Sequence, residues 1–131
     1  LAEKPERVLV VDDELSLLIV MEQYLTRLGY RVVACRSGEE AWRKFEPEPS
    51  AYSVAIADIT MPDMSGQELL QRMLALNPGL RILICSGYPF DISTLPAVVQ
   101  NQFGYLQKPF TPKMLADAIE HLRSGNDAIS A

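Results

Sequence analysis

The chain has 131 residues, 48% apolar and 22% charged, with a formal net charge of −5. That length suits one domain burying roughly two-thirds of its unfolded surface, and the balance excludes a disordered tail or a fibrous repeat. An acidic surface repels phosphate backbones and anionic lipid headgroups, which argues against direct binding to nucleic acid or to a membrane.

In chain order, the first continuous apolar run is Val8 to Val11, followed by Asp12-Asp13-Glu14. A helix over about Leu15 to Leu28 carries Leu17, Leu18, Met21, Leu25 and Leu28 at helical spacing and stops at Gly29. A second run, Val32 to Cys35, precedes a helix from about Gly38 to Phe45 that ends in the solvated stretch Glu46-Pro47-Glu48-Pro49-Ser50. Val54 to Ala57 is the third run and ends at Asp58; a third helix, Gly66 to Leu76, is closed by Asn77-Pro78-Gly79. Ile82 to Cys85 follows, then Ser86. Between Asp91 and Gln100, Pro96 would remove a hydrogen bond from a helix interior at a cost of ~3 kcal/mol, which predicts a short or irregular fourth helix. Tyr105-Leu106 is the fifth run, with Lys108 after it. The last helix, Pro112 to Arg123, has Thr111 as N-cap, stops near Gly125, and is expected to bury Met114, Leu115, Ala118, Ile119 and Leu122.

Continuous apolar runs alternating with helices predict an α/β domain: five parallel strands covered on both faces, joined by right-handed crossovers. One domain spans 1–131, with a core at about 6–123 and short tails. Cys35 and Cys85 each close an apolar run and are expected as buried, reduced thiols.

Polar residues cluster where the apolar runs stop. Asp12 and Asp13 follow the first strand, Asp58 ends the third, Ser86 follows the fourth and Lys108 the fifth. In an open parallel sheet those ends share one edge, where ligands bind. If the strand order is 2-1-3-4-5, the Asp12-Asp13 pair lies ~4.8 Å from the strand of Asp58. Lys108 is then roughly 10 Å away, a gap that its long side chain can cross. Cys35 and Cys85 fall roughly 14 Å apart, beyond disulfide reach. Three carboxylates this close repel by several kcal/mol per pair, on the order of the Coulomb energy at an effective dielectric near 20. A hard divalent cation with oxygen ligands would relieve that repulsion, and Mg²⁺ fits better than zinc, for which there is no His or Cys cluster.

Four segments, Leu9 to Glu14 (LVVDDE), Asp58 to Gly66 (DITMPDMSG), Ile84 to Tyr88 (ICSGY) and Tyr105 to Phe110 (YLQKPF), closely resemble a response-regulator receiver domain of two-component systems. The resemblance runs over essentially the whole chain. It implies the flavodoxin-like doubly wound order 2-1-3-4-5, which spacing alone does not establish. It implies that Asp58 takes a phosphoryl group from the phosphohistidine of a histidine kinase or histidine phosphotransfer protein. Asp13, Asp58 and the backbone carbonyl of Thr60 would hold Mg²⁺, with Asp12 acting through water and Mn²⁺ as a substitute ion. Ser86 and Lys108 would bind the phosphoryl group, and Tyr105 would turn inward as the switch. Thr60 and Tyr88 depart from the commonest choices of such domains and are expected to modulate rates. The family is regulatory, with slow self-dephosphorylation in place of turnover, and a monomer or weak dimer is expected.

Each residue also has a duller role. Asp13 or Glu14 could cap the first helix, Asp58 and Ser86-Gly87 could form turns, and Lys108-Pro109 could be a loop. Tyr105 could be core; Trp42, Met61 and Met64 suit packing, and His121 a solvated face. The main rivals are an Mg²⁺-dependent aspartyl-phosphate phosphatase, a flavin or nucleotide binder, and a docking module that does not depend on phosphorylation. The phosphatase places its two acids two residues apart after the first strand. The flavin or nucleotide binder needs Gly, Ser or Thr where Asp12-Asp13-Glu14 stands. No stretch approaches the ~20 apolar residues of a membrane helix, and Leu1 to Arg7 lacks a signal peptide's apolar core, so a cytoplasmic location is expected. The absence of an initial Met suggests excision from a longer polypeptide, and CSGYPF at Cys85 to Phe90 resembles receivers attached to sensor kinase modules.

Overall fold

A computed structural model describes residues 6–59 and 66–124. Its strands are β1 (Arg7–Val11), β2 (Arg31–Cys35), β3 (Tyr52–Asp58), β4 (Arg81–Ser86) and β5 (Phe103–Gln107). The helices are α1 (Leu15–Arg27), α2 (Gly38–Phe45), α3 (Gly66–Leu76), α4 (Ala97–Gln100) and α5 (Pro112–Arg123). All neighbouring strands pair in parallel, in the order β2-β1-β3-β4-β5. This is the flavodoxin-like arrangement. The strands outrun the apolar segments that announce them, because ladder hydrogen bonds come from backbone and do not need apolar side chains.

Period-two alternation divides the core between the two sheet faces. Leu9, Val11, Ala55, Ala57, Ile82 and Ile84 pack with Phe45 of α2 and Leu69 and Met73 of α3. Their neighbours Val8, Val10, Val54, Ile56 and Leu83 pack with Leu18, Met21 and Leu25 of α1 and with Leu115, Ile119 and Leu122 of α5. Each fully buried side chain of this kind contributes about 1.5–3 kcal/mol, so both faces are needed for the sheet to hold its edge in place.

Local signals set the helix ends. Gly29 takes φ 101°, the left-handed conformation that ends α1. Ser37 Oγ accepts from the N–H of Glu40 at 3.1 Å, while Glu40 accepts from the N–H of Arg36 at 2.8 Å. Thr111 caps α5 by accepting from the N–H of Met114 at 3.1 Å. The burial expected of Met114 fails, as it is 44% exposed, and Leu28 is 48% exposed. Leu28 lies past the last turn of α1 as its C-cap, and Met114 is about 100° around the helix from the Leu115–Ile119–Leu122 stripe. Trp42 packs partly buried against the core, and His121 is exposed.

Pro96 has the expected effect. A 3-10 turn over Ile92–Thr94 precedes it, and it serves as N-cap of a four-residue α4. An apolar groove of about 440 Å³ lies between α3 and this segment, lined by Leu70, Leu74, Phe90, Leu95, Val99 and Phe103.

Gly66 ties α3 to the end of β3. A Cβ there would lie 2.4 Å from Cα of Ile59 and 2.9 Å from the carbonyl oxygen of Asp58. Gly66→Ala is therefore expected to cost roughly 1–3 kcal/mol through overpacking. Gly79→Ala, whose new methyl meets only Asn77 Oδ1 at 3.8 Å, should stay within about 0.5 kcal/mol of wild type. Urea unfolding of the two variants checks the contrast, and equal losses would contradict it.

Candidate functional site

Two residues beyond Val10 on β1 and Ile56 on β3, the alternation puts Asp12 and Asp58 on the α1/α5 side of the sheet as the strands end. The backbone holds both in place. The N–H of Asp12 donates to the carbonyl of Cys35 at 3.0 Å, and Asp58 stands in register with Cys85. The N–H of Lys108 donates to the carbonyl of Ser86 at 2.8 Å, extending the β4–β5 pairing past its last strand residue. From there the lysine side chain reaches back across β4.

Lys108 Nζ donates to Asp58 Oδ2 at 2.9 Å and to Glu14 Oε1 at 3.3 Å. It also lies 2.8 Å from Asp12 Oδ2. This last contact is an ion pair with a buried carboxylate. The other oxygen of Asp12 accepts from the N–H of Glu14 at 2.8 Å. Asp12 is 0% exposed and Asp58 5%. Burial pushes the Asp12 carboxyl above its ordinary value, and neighbouring Asp58 adds to this; Lys108 and the Glu14 N–H only partly offset it. For Lys108, burial works against the charge, yet Asp12 and Asp58 outweigh it and hold the ammonium firmly protonated.

Asp13 is exposed, and one carboxylate oxygen each from Asp12, Asp13 and Asp58 lies within 4.8 Å of the others. One ammonium thus faces four carboxylates, counting Glu14. Oxygens on opposite sides of an octahedral Mg²⁺ are about 4.2 Å apart. Carboxylate oxygens this close could share one such ion. The all-oxygen donor set, with the buried Asp12 carboxylate among it, fits a hard cation.

Ser86 is fully buried, and its Oγ accepts from the N–H of Tyr88 at 3.0 Å. The hydroxyl of half-buried Tyr105 donates to the carbonyl of Tyr88 at 2.7 Å. Ser86 and Tyr105 therefore hold the same residue from its two peptide ends, while the Tyr88 ring is 70% exposed. Thr60, like Met61 and Met64, lies outside the described residues. Cys35 and Cys85 are buried free thiols, each pushed up to about 12 by burial, and so are unreactive.

The sequence suggested Glu14 only as a helix cap. It does occupy the N-cap position of α1, but its side chain makes no capping bond and turns to Lys108. The signal for this role was a third consecutive acid opposite a lysine whose backbone is anchored two strands away, and the capping rule masked it.

Fold and site together define a flavodoxin-like α/β domain with an acidic pocket and one lysine at the carboxyl edge of its sheet. The chain belongs to the response regulator receiver domain family of two-component systems, whose family model matches residues 8–120. It is 35% identical over 127 residues to chemotaxis protein CheY1 of Helicobacter pylori strain J99, covering 92% of this chain and 99% of that one. It is 32% identical over 119 residues to the DNA-binding transcriptional regulator NtrC of Azospirillum brasilense, covering 91% of this chain but only 24% of that protein. Among solved structures, a CheY-like receiver domain from Methanospirillum hungatei JF-1 superposes with a TM-score of 0.79 at 31% identity, covering 92% of this chain and 95% of the other.

The raised carboxyl of Asp12 has a consequence for stability. A native state that holds this proton more tightly than the unfolded chain is penalised once Asp12 ionises, so the deficit is present above the raised value and fades as pH falls toward 3.8. Asp12→Asn should raise the metal-free unfolding midpoint at pH 7 by a few degrees, an advantage that shrinks on acidification. Thermal melts in chelating buffer across pH 4–7 check this, and a lower midpoint at pH 7 would contradict it.

Proposed function

We propose that this chain is a phosphoacceptor switch that takes a phosphoryl group from the phosphohistidine of a histidine kinase or histidine phosphotransfer protein onto Asp58. The observation that carries the proposal is the convergence, at one sheet edge, of the Asp58 carboxylate, the Lys108 ammonium 2.9 Å away and the Asp12 and Asp13 carboxylates. A nucleophile, a cation for the arriving anion and an oxygen-ligand set are what phosphoryl transfer to a carboxylate requires.

In this mechanism a carboxylate oxygen of Asp58 attacks phosphorus in line. The P–N bond of the donor breaks, and its electron pair returns to the imidazole nitrogen. Lys108 neutralises charge gathering on the phosphoryl oxygens, and its backbone anchor to Ser86 keeps the ammonium in position. Asp13, Asp58 and the carbonyl of Thr60 would hold Mg²⁺ or Mn²⁺, with Asp12 acting through water. The bound ion supplies the positive charge that lets an anionic donor approach a cluster of carboxylates.

Ser86 Oγ would donate its proton to a phosphoryl oxygen. Because the same hydroxyl accepts from Tyr88, whose carbonyl accepts from Tyr105, its movement would be felt at β5. Output is then a population shift that the phosphoryl contacts bias. No helix among the described residues is long and apolar enough to cross a membrane, and a cytoplasmic setting fits the donor. CheY1 is matched over nearly its whole length and NtrC over a quarter, so a free-standing receiver and one attached to a kinase or output module both fit the proposal.

Labelling with radioactive acetyl phosphate tests the chemistry. Wild type should incorporate label only with Mg²⁺ or Mn²⁺, to at most one phosphoryl group per chain, and Asp58→Asn should incorporate none. Equal labelling of Asp58→Asn would move the acceptor elsewhere, sustained multiple turnover would favour a phosphatase, and no labelling would favour a docking module.

Tyr88 provides a kinetic check. Its exposed ring follows Ser86 by two residues and is expected to hinder water. Tyr88→Ala should shorten the acyl phosphate lifetime by roughly threefold, under about 1 kcal/mol of barrier. An unchanged decay rate would remove Tyr88 from the list of rate-setting residues.

A further inference from the structure

Lys108 is already engaged before any phosphoryl group arrives. Its three carboxylate contacts differ in kind: Asp12 and Asp58 are buried and lie at 2.8 and 2.9 Å, whereas Glu14 is 61% exposed and lies at 3.3 Å. An ammonium has three N–H donors and no acceptor, so a phosphoryl oxygen can gain a full share of this lysine only where an existing partner yields. The Asp12 and Asp58 carboxylates stand at strand ends fixed by backbone pairing. Glu14 has no such constraint. It sits at the mouth of the site, at the start of α1, on a long side chain with no other hydrogen bond from its carboxylate among the described residues.

We propose that Glu14 is a positioning residue that holds Lys108 in the unphosphorylated state and is displaced by the phosphoryl group, so that its carboxylate competes with the incoming anion for the lysine. This rests on the phosphoacceptor function above and adds a residue to it. Glu14 neither receives the phosphoryl group nor binds the ion. An exposed charged contact contributes about 0.2–1 kcal/mol, so losing it should change the response to an anionic donor by roughly 1.4- to 5-fold and no more. The site then has a built-in threshold: a donor must displace Glu14 before Lys108 can assist transfer.

The test separates competition for Lys108 from general repulsion by a nearby negative charge. Wild type, Glu14→Ala, Glu14→Asp and Glu14→Gln are labelled with acetyl phosphate in saturating Mg²⁺, and the half-saturating donor concentration is measured. Glu14→Asp keeps the charge but draws it back by one methylene, out of reach of Nζ. If Glu14 competes for the lysine, Glu14→Ala and Glu14→Asp both lower the half-saturating concentration by about two- to fivefold, and the longer Glu14→Gln, whose carbonyl can still accept, falls between them and wild type. If charge alone matters, Glu14→Asp behaves as wild type while Glu14→Ala and Glu14→Gln change together, and the proposal is overturned.

A second readout needs no donor and no metal. The Nζ resonance of Lys108 in metal-free, isotopically labelled protein should shift in Glu14→Ala and Glu14→Asp, while the unfolding midpoint stays within a degree or two of wild type. An unmoved resonance overturns the proposal even if labelling changes. Wild type that labels normally beside variants identical to it defeats this inference and leaves the phosphoacceptor function standing; wild type that does not label defeats both.

Discussion

Everything at the carboxyl edge of this sheet depends on one shared ammonium. Asp12 and Asp58 are carboxylates buried a few ångströms apart, an arrangement whose repulsion and desolvation would not be sustained without Lys108 between them. The lysine in turn keeps its charge inside the protein only because those carboxylates outweigh its burial. Removing the lysine leaves two buried carboxylates uncompensated, the costly outcome for such a cluster. Yet one positive charge among four acids is not neutrality. Burial, and after it the neighbouring Asp58 carboxylate, raise the carboxyl of Asp12 despite the lysine beside it. In the proposed function, a site left short of positive charge, with hard oxygen ligands at one rim, would draw a cation, and through the cation the anion that follows it.

The fold creates this shortage by geometry. Parallel pairing brings every strand end to one edge, and period two decides which side each end residue takes. Asp12, Asp58 and Lys108 all continue the α1/α5 side, whereas Ser86, two residues past Ile84, continues the α2/α3 side together with Tyr105, the register partner of Ile84. The charged cluster and the Ser86–Tyr88–Tyr105 hydrogen-bond chain are thus set on opposite sides of the same edge. They meet at β4, where the Ser86 carbonyl holds the Lys108 backbone and the Ser86 hydroxyl holds Tyr88. A displacement of Ser86 would act on both, which is how the proposed switch would couple chemistry to shape.

Most of this was legible from residue types at run ends. Apolar runs separated by helical spacing give five strands, and the acids and lysine follow them so closely that the edge can be read off before any coordinates. The helix boundaries at Gly29, Thr111 and Pro96 were equally legible, since each acts through backbone conformation or a single local hydrogen bond. What stayed hidden depends on packing angle and rotamer. Met114 falls just outside a stripe it was expected to join. Glu14 satisfies a local rule for helix starts while its side chain answers to a lysine 94 residues away. The strand order came with the resemblance, because a pattern of alternating elements fits more than one doubly wound order.

Gly66 shows how tightly the edge is built. A residue that places α3 against Ile59 and the Asp58 carbonyl leaves no room for a methyl group, so the backbone that presents the Asp58 carboxylate is wedged between α3 and the neighbouring strands. Such a wedge restricts Asp58 and leaves adaptation to the side chains at the rim: the exposed carboxylates of Asp13 and Glu14 and the exposed ring of Tyr88. In the proposed switch, a rigid Asp58 and an adjustable rim would divide two demands. In-line transfer needs a fixed nucleophile, whereas the rate at which a donor enters or water leaves with the phosphoryl group is set by groups that can move without disturbing it. Rates can therefore vary between receivers with the same buried residues, and the residues at the rim are where this chain would set its own.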